Sequence, residues 1–563
     1  MRARPGRSCY VWSHLSRGKT RSNVLLYLAG QAETHFRPSR KYYPVWWPST
    51  QNDSMDALLF MASDFGVSLG VSLLLGTVLT GAAVCLLYRK FAPDRRRFPP
   101  GPRGLSALLT ASSALKSGTL HKQAKLWYEQ HGELVLCRTL IGDLCFLNSA
   151  RLVRQVFASK ELEQFTNDRP RTFTGWYTVY NYSDVITGSP SISPEWVKVR
   201  KLFHYALKFY GDGVEQFEGT MQTELRRLMA TVEETAGEEI AVDKMFTYSL
   251  LCVLNTLLTG KCPSTDSEMI RIMKTFDQAT AEAFNPSVDG VLNVFPFLRF
   301  VPGSYYRELC VRMNSTRDIE SHTPGKPRGI VDILLDEQAK EENGWMTDNH
   351  IRGLITNTIA AGFLTSVQSL KGILLHLAHE PEVMRKLQKE IDTVIGQRPP
   401  AVGDRSNLPY AEAVMMEGQR YDTFLPLGLV HEAREEISVD GYCIPKGSLL
   451  FANAWVFRRD PEVWGDPEVF RPERFLDDVT GQLLEMNHPL RKSLLAFGVG
   501  RRNCPGENFA RTRIFLYITT LLQKFDVLPP VKHDLLPAEP DSWENSLVLK
   551  IKEFYVIFRP RSD

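Results

Sequence analysis

The chain has 563 residues, 43% hydrophobic and 23% charged, with 38 Gly and 33 Pro. These are the proportions of ordinary globular proteins, which excludes collagen-like, low-complexity and wholly disordered chains. With 67 basic and 64 acidic residues the net charge is only +3, so composition offers no general attraction for nucleic acid and none is expected as a partner. The nine cysteines (Cys9, Cys85, Cys137, Cys145, Cys252, Cys262, Cys310, Cys443 and Cys504) form no Cys-x-x-Cys pair and are odd in number. That pattern speaks against a disulfide scaffold or a zinc ribbon. It favours a reducing compartment with at least one special thiol.

Residues 1–54 are rich in Arg and contain only Glu33 and Asp53 as acids. Such a composition suits a mitochondrial transit peptide. Met55, just upstream of a long apolar run, is nevertheless a natural start, so 1–54 is expected to be a disordered leader or an extension of the gene model. Phe65 to Tyr88 carries no charge over 24 residues, which as a helix crosses a bilayer core of about 30 Å. Arg89, Lys90, Arg95, Arg96, Arg97 and Arg103 follow it, whereas 42–88 holds no Lys or Arg. The positive-inside rule puts the C-terminal side in the cytoplasm. The expectation is a membrane anchor over 55–90 and a proline-rich hinge over 91–104, where Pro99, Pro100 and Pro102 cannot continue a helix. A single body over 105–563 would follow.

Helical periods run over 217–234, 348–378, 381–395 and 506–524. Strand-like pieces sit at 133–138, 143–148, 437–443 and 550–558. The fold class read from this is mostly α with small β-sheets.

The chemistry concentrates at Phe497-Gly498-Val499-Gly500-Arg501-Arg502-Asn503-Cys504-Pro505-Gly506. Cys504 precedes a predicted helix, whose N-terminal N–H groups favour a thiolate. Gly500 and Gly506 permit a tight turn against a flat partner. Arg502 offers a cation to a carboxylate. A thiolate, a glycine turn and a carboxylate-binding Arg are what a haem iron with propionates requires. A buried Cys beside a turn is the plainer alternative.

This Phe-x-x-Gly-x-Arg-x-Cys-x-Gly pattern resembles the haem-binding loop of the cytochromes P450, the standard example of cysteine-thiolate haem ligation. Glu417-Gly418-Gln419-Arg420 resembles the family's Glu-x-x-Arg, and Pro472-Glu473-Arg474-Phe475 its later element, with Arg474 implied to join Glu417 and Arg420 in one charge network. Trp196 and Arg200 fit the family's Trp-x-x-x-Arg. The resemblance implies that they, with His431, bind haem propionates, and that Phe497, Gly498 and Arg502 flank the cofactor. Ala361-Gly362-Phe363-Leu364-Thr365-Ser366 resembles the distal helix. There Gly362 is implied to make room for dioxygen and Thr365 to steer a proton. Leu364 stands where the family has an acid and cannot relay a proton, so Ser366 or a water chain is the expected substitute.

The match extends over about 98–563 and looks most like the animal microsomal members that act on drugs and hormones. It implies haem b, with Cys504 as the axial iron ligand, and NADPH acting indirectly through cytochrome P450 reductase, with cytochrome b5 as a further partner. A lipophilic substrate, contact with membrane lipid and an endoplasmic reticulum location are implied too, the mitochondrion being the alternative if 1–54 is a true transit peptide. Implied pocket walls are 165–190, 281–300, 357–365 and 424–430, with Phe173, Trp176, Tyr177, Tyr180, Phe363 and Phe424 as aromatic contacts. Lys198, Lys201, Arg491, Lys492 and Arg501 form an expected basic docking face. Leu364 keeps open an electron-independent peroxide isomerase or dehydratase and a non-catalytic haem-binding paralogue.

Overall fold

The computed structural model describes residues 97–561 except 140–141, 178–181, 189–192, 212–214, 263–267, 284–285, 315–328 and 341–342. The expected leader, the 65–88 span and the first part of the hinge lie outside the described residues.

Six helices position the site: α1 (Pro194–Gly211), α2 (Glu215–Glu234), α3 (Val242–Thr259), α4 (Asp348–His379), α5 (Pro409–Asp422) and α6 (Glu507–Lys524). Thr347 caps α4, its backbone N–H donating to His350 Nδ1 at 3.1 Å. α4 is the one helix among the described residues long and apolar enough to cross a membrane, but most of its apolar stretch is buried in protein. It is a core helix: Leu370, Ile373 and Leu374 share one cluster with Leu250 and Leu254 of α3, Val414 of α5, and Phe515 and Leu516 of α6. Complete burial of each such side chain contributes about 1.5–3 kcal/mol.

The strands are β1 (Leu134–Arg138), β2 (Asp143–Leu147), β3 (Glu239–Ala241), β4 (His431–Glu432), β5 (Ile437–Val439), β6 (Tyr442–Ile444), β7 (Leu449–Ala452), β8 (Phe525–Leu528) and β9 (Tyr555–Pro560). They form sheets of order β1-β2-β7-β4 and β3-β9-β8 and a β5-β6 hairpin. The strand expected over 437–443 is in fact that hairpin. Asp440 and Gly441, both at positive φ, make its two-residue turn. The last expected strand begins later, at Tyr555. The proline run is extended and docked: the Pro100 and Pro102 carbonyls accept from Leu136 and Arg138 of β1.

The cysteine reading needs one correction. Cys252 and Cys262 form a disulfide, the one among the described residues. No Cys-x-x-Cys spacing announces it, because the chain must leave α3 and turn back before the two sulfurs meet.

Candidate active site around Cys504

Cys504 sits in a loop closed by its own backbone, its N–H donating to the Phe497 carbonyl at 2.8 Å. Gly498 and Gly500 both have positive φ, and a Cβ on Gly500 would lie 2.3 Å from the Phe157 carbonyl oxygen. Only glycine lets this loop turn and press against the preceding backbone. The Phe497 ring lies under the Arg511 guanidinium at 4.8 Å. Burial pushes the Cys504 thiol up to about 11, against the opposite pulls of the Gly506 N–H and the Arg200 charge. The helix N-terminus alone therefore does not hold a thiolate here. A coordinated cation is what deprotonates such a buried thiol.

α1 supplies Trp196 and Arg200. Arg200 Nη2 donates to the backbone and side-chain oxygens of Asn503, each at 2.7 Å, and so ties α1 to the residue before Cys504. Arg502 stacks on Trp196 at 4.3 Å. Its nitrogens donate to the carbonyls of Asn167 (2.8 Å), Val185 (3.1 Å) and Gly188. The sequence reading gave Arg502 a carboxylate; its N–H groups are spent largely on backbone carbonyls, which fixes the 184–188 loop.

A further cation was missed. Arg169 is buried, donating to Ile186 at 3.1 Å and to Leu429 and Val430 at 2.7 Å. Burial first, then the charge of Arg502, drives its pKa well down. Its sequence signal is only Arg169-Pro170, an Arg held extended by the following proline.

His431 is buried in β4, stacked on Phe157 at 4.0 Å. Burial, followed by the Arg169 charge, keeps it neutral. Its Nδ1 faces the Thr166 carbonyl at 2.9 Å and must donate, which leaves Nε2 an acceptor in the neutral ring. To bind a carboxylate through Nε2, His431 must take up a second proton.

The helix that the sequence marks as distal is α4. Ala361 is exposed and Leu364 and Thr365 half-exposed, while Phe363 and Ser366 are buried. Positions i, i+3 and i+4 share a helix face, so Ala361, Leu364 and Thr365 form one accessible face of α4. The Thr365 hydroxyl donates to the Ala361 carbonyl at 2.6 Å. A Cβ on Gly362 would meet Leu254 of α3 at 3.2 Å, so the room glycine leaves lies on the α3 side. Ser366 is engaged by Arg513 of α6. Phe363 belongs to the main core, as does Phe424 at its edge, whereas Tyr180 lies outside the described residues.

Arg513 is another residue that the sequence reading missed. It is fully buried and donates to the Gly362 carbonyl at 2.7 Å, with its Nε and Nη1 unpartnered. Burial lowers it to about 10.

Behind the Cys504 loop, Glu417, Arg420 and Arg474 form a fully buried network. Glu417 meets Arg420 at 2.7 and 2.8 Å and Arg474 at 3.1 Å, and it accepts the Arg471 N–H at 2.9 Å. Gly418 lets α5 approach α4: a Cβ there would lie 3.3 Å from Ile373.

The residues present fit a haem. Three guanidinia, those of Arg169, Arg200 and Arg502, share one buried region with a Trp196 indole N–H that has no acceptor. Neither Arg200 nor Arg502 forms an ion pair among the described residues, and Asp184, the buried acid beside them, is engaged by Thr187, Gly188 and Asn357. Burying charge without a paired anion is costly even where the N–H groups find backbone acceptors. Two propionates would supply the missing anions, and one could accept from the Trp196 indole N–H.

A cysteine behind a glycine turn, flanked by buried cations, is the arrangement of the haem-thiolate class. The family model for cytochrome P450 matches residues 99–558, and the chain belongs to that family. It is thus a haem b enzyme, a monooxygenase of the oxidoreductase class. Relatives include the farnesoate epoxidase of Bombyx mori, 29% identical over 498 residues that cover 85% of this chain and 98% of the relative. Human cytochrome P450 1A2 is 28% identical over 505 residues (82% and 93%), and human cytochrome P450 2J2 28% over 476 (81% and 91%).

Proposed function

We propose that the protein is a membrane-anchored monooxygenase that inserts one oxygen atom of dioxygen into a lipophilic small molecule, with electrons from NADPH delivered by cytochrome P450 reductase. The observation that carries this reading is the unpartnered Trp196 indole N–H among the buried guanidinia beside the Cys504 loop. In this reading Cys504 would ligate the iron of haem b, which when bound would supply the activation of dioxygen. Trp196, Arg200, Arg169 and Arg502 hold the propionate side, and His431 becomes protonated against it. Phe497 and Gly498 shape the cysteine loop, and Glu417, Arg420 and Arg474 lock the scaffold behind it. Thr365 holds a proton-donating water on the accessible face of α4, and Leu364 keeps the rest of that face apolar. Ser366, held by Arg513, is a positioning group in this scheme.

An exposed apolar surface supports membrane contact. The helix Gly104–Lys116, with Leu105 and Leu109 58% and 62% exposed, packs against Pro286–Val294. Phe295, Phe297 and Phe300, all half-exposed, follow directly. This surface includes the helix that directly follows the proline run 99–102, as a body resting on a bilayer would require. We place the body on the cytosolic face of the endoplasmic reticulum. Lys198, Lys201 and Lys492 are exposed and suit an acidic reductase.

The test is the reduced, carbon monoxide-bound absorption spectrum of protein expressed from Met55, followed by turnover with reductase, NADPH and labelled dioxygen. A strongly red-shifted Soret band and label in the product are expected. An unshifted band, or product formed from a hydroperoxide without NADPH, overturns the reading. The second of these outcomes would establish the peroxide-rearranging alternative that Leu364 favours.

A further inference from the structure

Far from the Cys504 loop, a compact group joins α2 to the end of α3. The buried Cys252 is bonded to Cys262, which is exposed. Arg227 of α2 brings Nη1 to 3.3 Å from Cys262 Sγ and 3.9 Å from Cys252 Sγ. The same nitrogen lies 2.7 Å from the Tyr248 hydroxyl and 3.4 Å from Glu224 Oε2. Glu224 is buried, with Oε1 unpartnered and Oε2 4.0 Å from Cys262 Sγ. One sulfur faces solvent, one is inside, a guanidinium touches both, and a carboxyl stands beside them.

We infer that Cys252 and Cys262 form a thiol-exchange site for an anionic low-molecular-weight thiol such as glutathione, with Cys262 the sulfur attacked and Cys252 the sulfur released. Exposure decides which sulfur is reached, since only Cys262 is open to a thiolate in solution. The attacking thiolate forms a bond to Cys262 Sγ, the bond between the two cysteine sulfurs breaks, and its electron pair leaves on Cys252. Arg227 attracts the incoming anion and stabilises the leaving thiolate. That thiolate, beside the Arg227 guanidinium, takes up a proton from solvent water once formed. A second thiol then displaces Cys262, giving the dithiol and an oxidised disulfide of the small thiol. Reversal needs only that oxidised disulfide.

The same atoms invite a rival. Both sulfurs and a Glu224 oxygen lie within 4.8 Å of one another, so the reduced pair would offer a divalent metal three ligands. The guanidinium seated on those ligand atoms opposes a dication and favours anion chemistry, which decides between them. The site also bears on the catalytic half of the molecule. α3 packs along α4, and the Ser249 hydroxyl beside Glu224 is 2.6 Å from the Tyr517 hydroxyl of α6.

In the test, free thiols of the purified full chain are alkylated first. The protein is then exposed to glutathione, quenched in acid, labelled with a second alkylating agent and mapped by peptide mass spectrometry. The expected result is a transient glutathione adduct on Cys262 and fresh label on Cys252. Adduct formation should slow roughly tenfold in Arg227→Met and recover in Arg227→Lys, which keeps the charge. Thermal melts of the oxidised variants separate this effect from misfolding. An adduct first on Cys252, a disulfide refractory to glutathione, an unchanged rate in Arg227→Met, or one zinc ion retained per reduced chain would each overturn the proposal.

Discussion

The Cys504 loop and the α4 segment around Thr365 are built differently. The Cys504 side is a chain of short-range decisions: a loop closed by the Phe497 carbonyl, a glycine forced by Phe157, and an Asn503 gripped by Arg200. The α4 side is a regular helix with no such local constraint. Its character comes from what other elements press on it, namely Leu254 from α3 and Arg513 from α6. The contrast teaches that the ligand side of this enzyme tolerates little change. On α4, Leu364 leaves the segment 361–366 without an acid, and the Arg513 guanidinium is buried behind it.

The largest effect should come from breaking the rigid side. Cys504→Ser is expected to abolish the red-shifted carbon monoxide band and all NADPH-dependent product, as read by difference spectroscopy and product analysis. Next is Glu417→Ala, which leaves Arg420 and Arg474 buried and uncompensated. Unfolding by denaturant should show a loss of about 3–5 kcal/mol.

A third prediction tests stability outside both faces. His121 is buried edge-on against Trp455, and burial with the charges of Lys122 and Arg459 lowers its pKa from 6.5 to about 4. The unfolded chain thus binds a proton that the folded chain refuses. Stability from this site is intact above pH about 6.5 and falls as the pH drops toward 4, by up to about 3 kcal/mol. His121→Phe should flatten stability curves measured across that window.

The distal side is sharpened by Leu364→Glu. If missing acid is what limits proton supply, product formed per NADPH should rise by roughly tenfold, with peroxide release falling in step. The smallest effect on stability is expected for Arg513→Met. Exchanging an acid-free buried guanidinium for an apolar chain of similar length should shift stability by no more than about 1 kcal/mol. Amide hydrogen exchange at 362–366 should nevertheless quicken as the Gly362 carbonyl loses its partner.

Much of this was readable before the fold. The Cys504 loop, the Glu417–Arg420 spacing and the long period of α4 are written in residues a few positions apart, so local sequence determines them. The hairpin at Asp440-Gly441 carried the same kind of local signal, which the continuous apolar pattern of 437–443 concealed.

What remained depended on distance along the chain. Sequence by itself determined the family loop, the helical class, and the absence of an acid from 361–366. Tertiary structure alone decided that Arg169 joins Arg502, that Ser366 is claimed by Arg513, that His431 is neutral, and that Cys252 meets Cys262. The reason is physical. Periodicity and turn chemistry act over a handful of residues. Burial, mutual charge and the fate of an N–H group are set by whatever the packed core brings alongside, such as Gly362 and Arg513, which lie 151 positions apart.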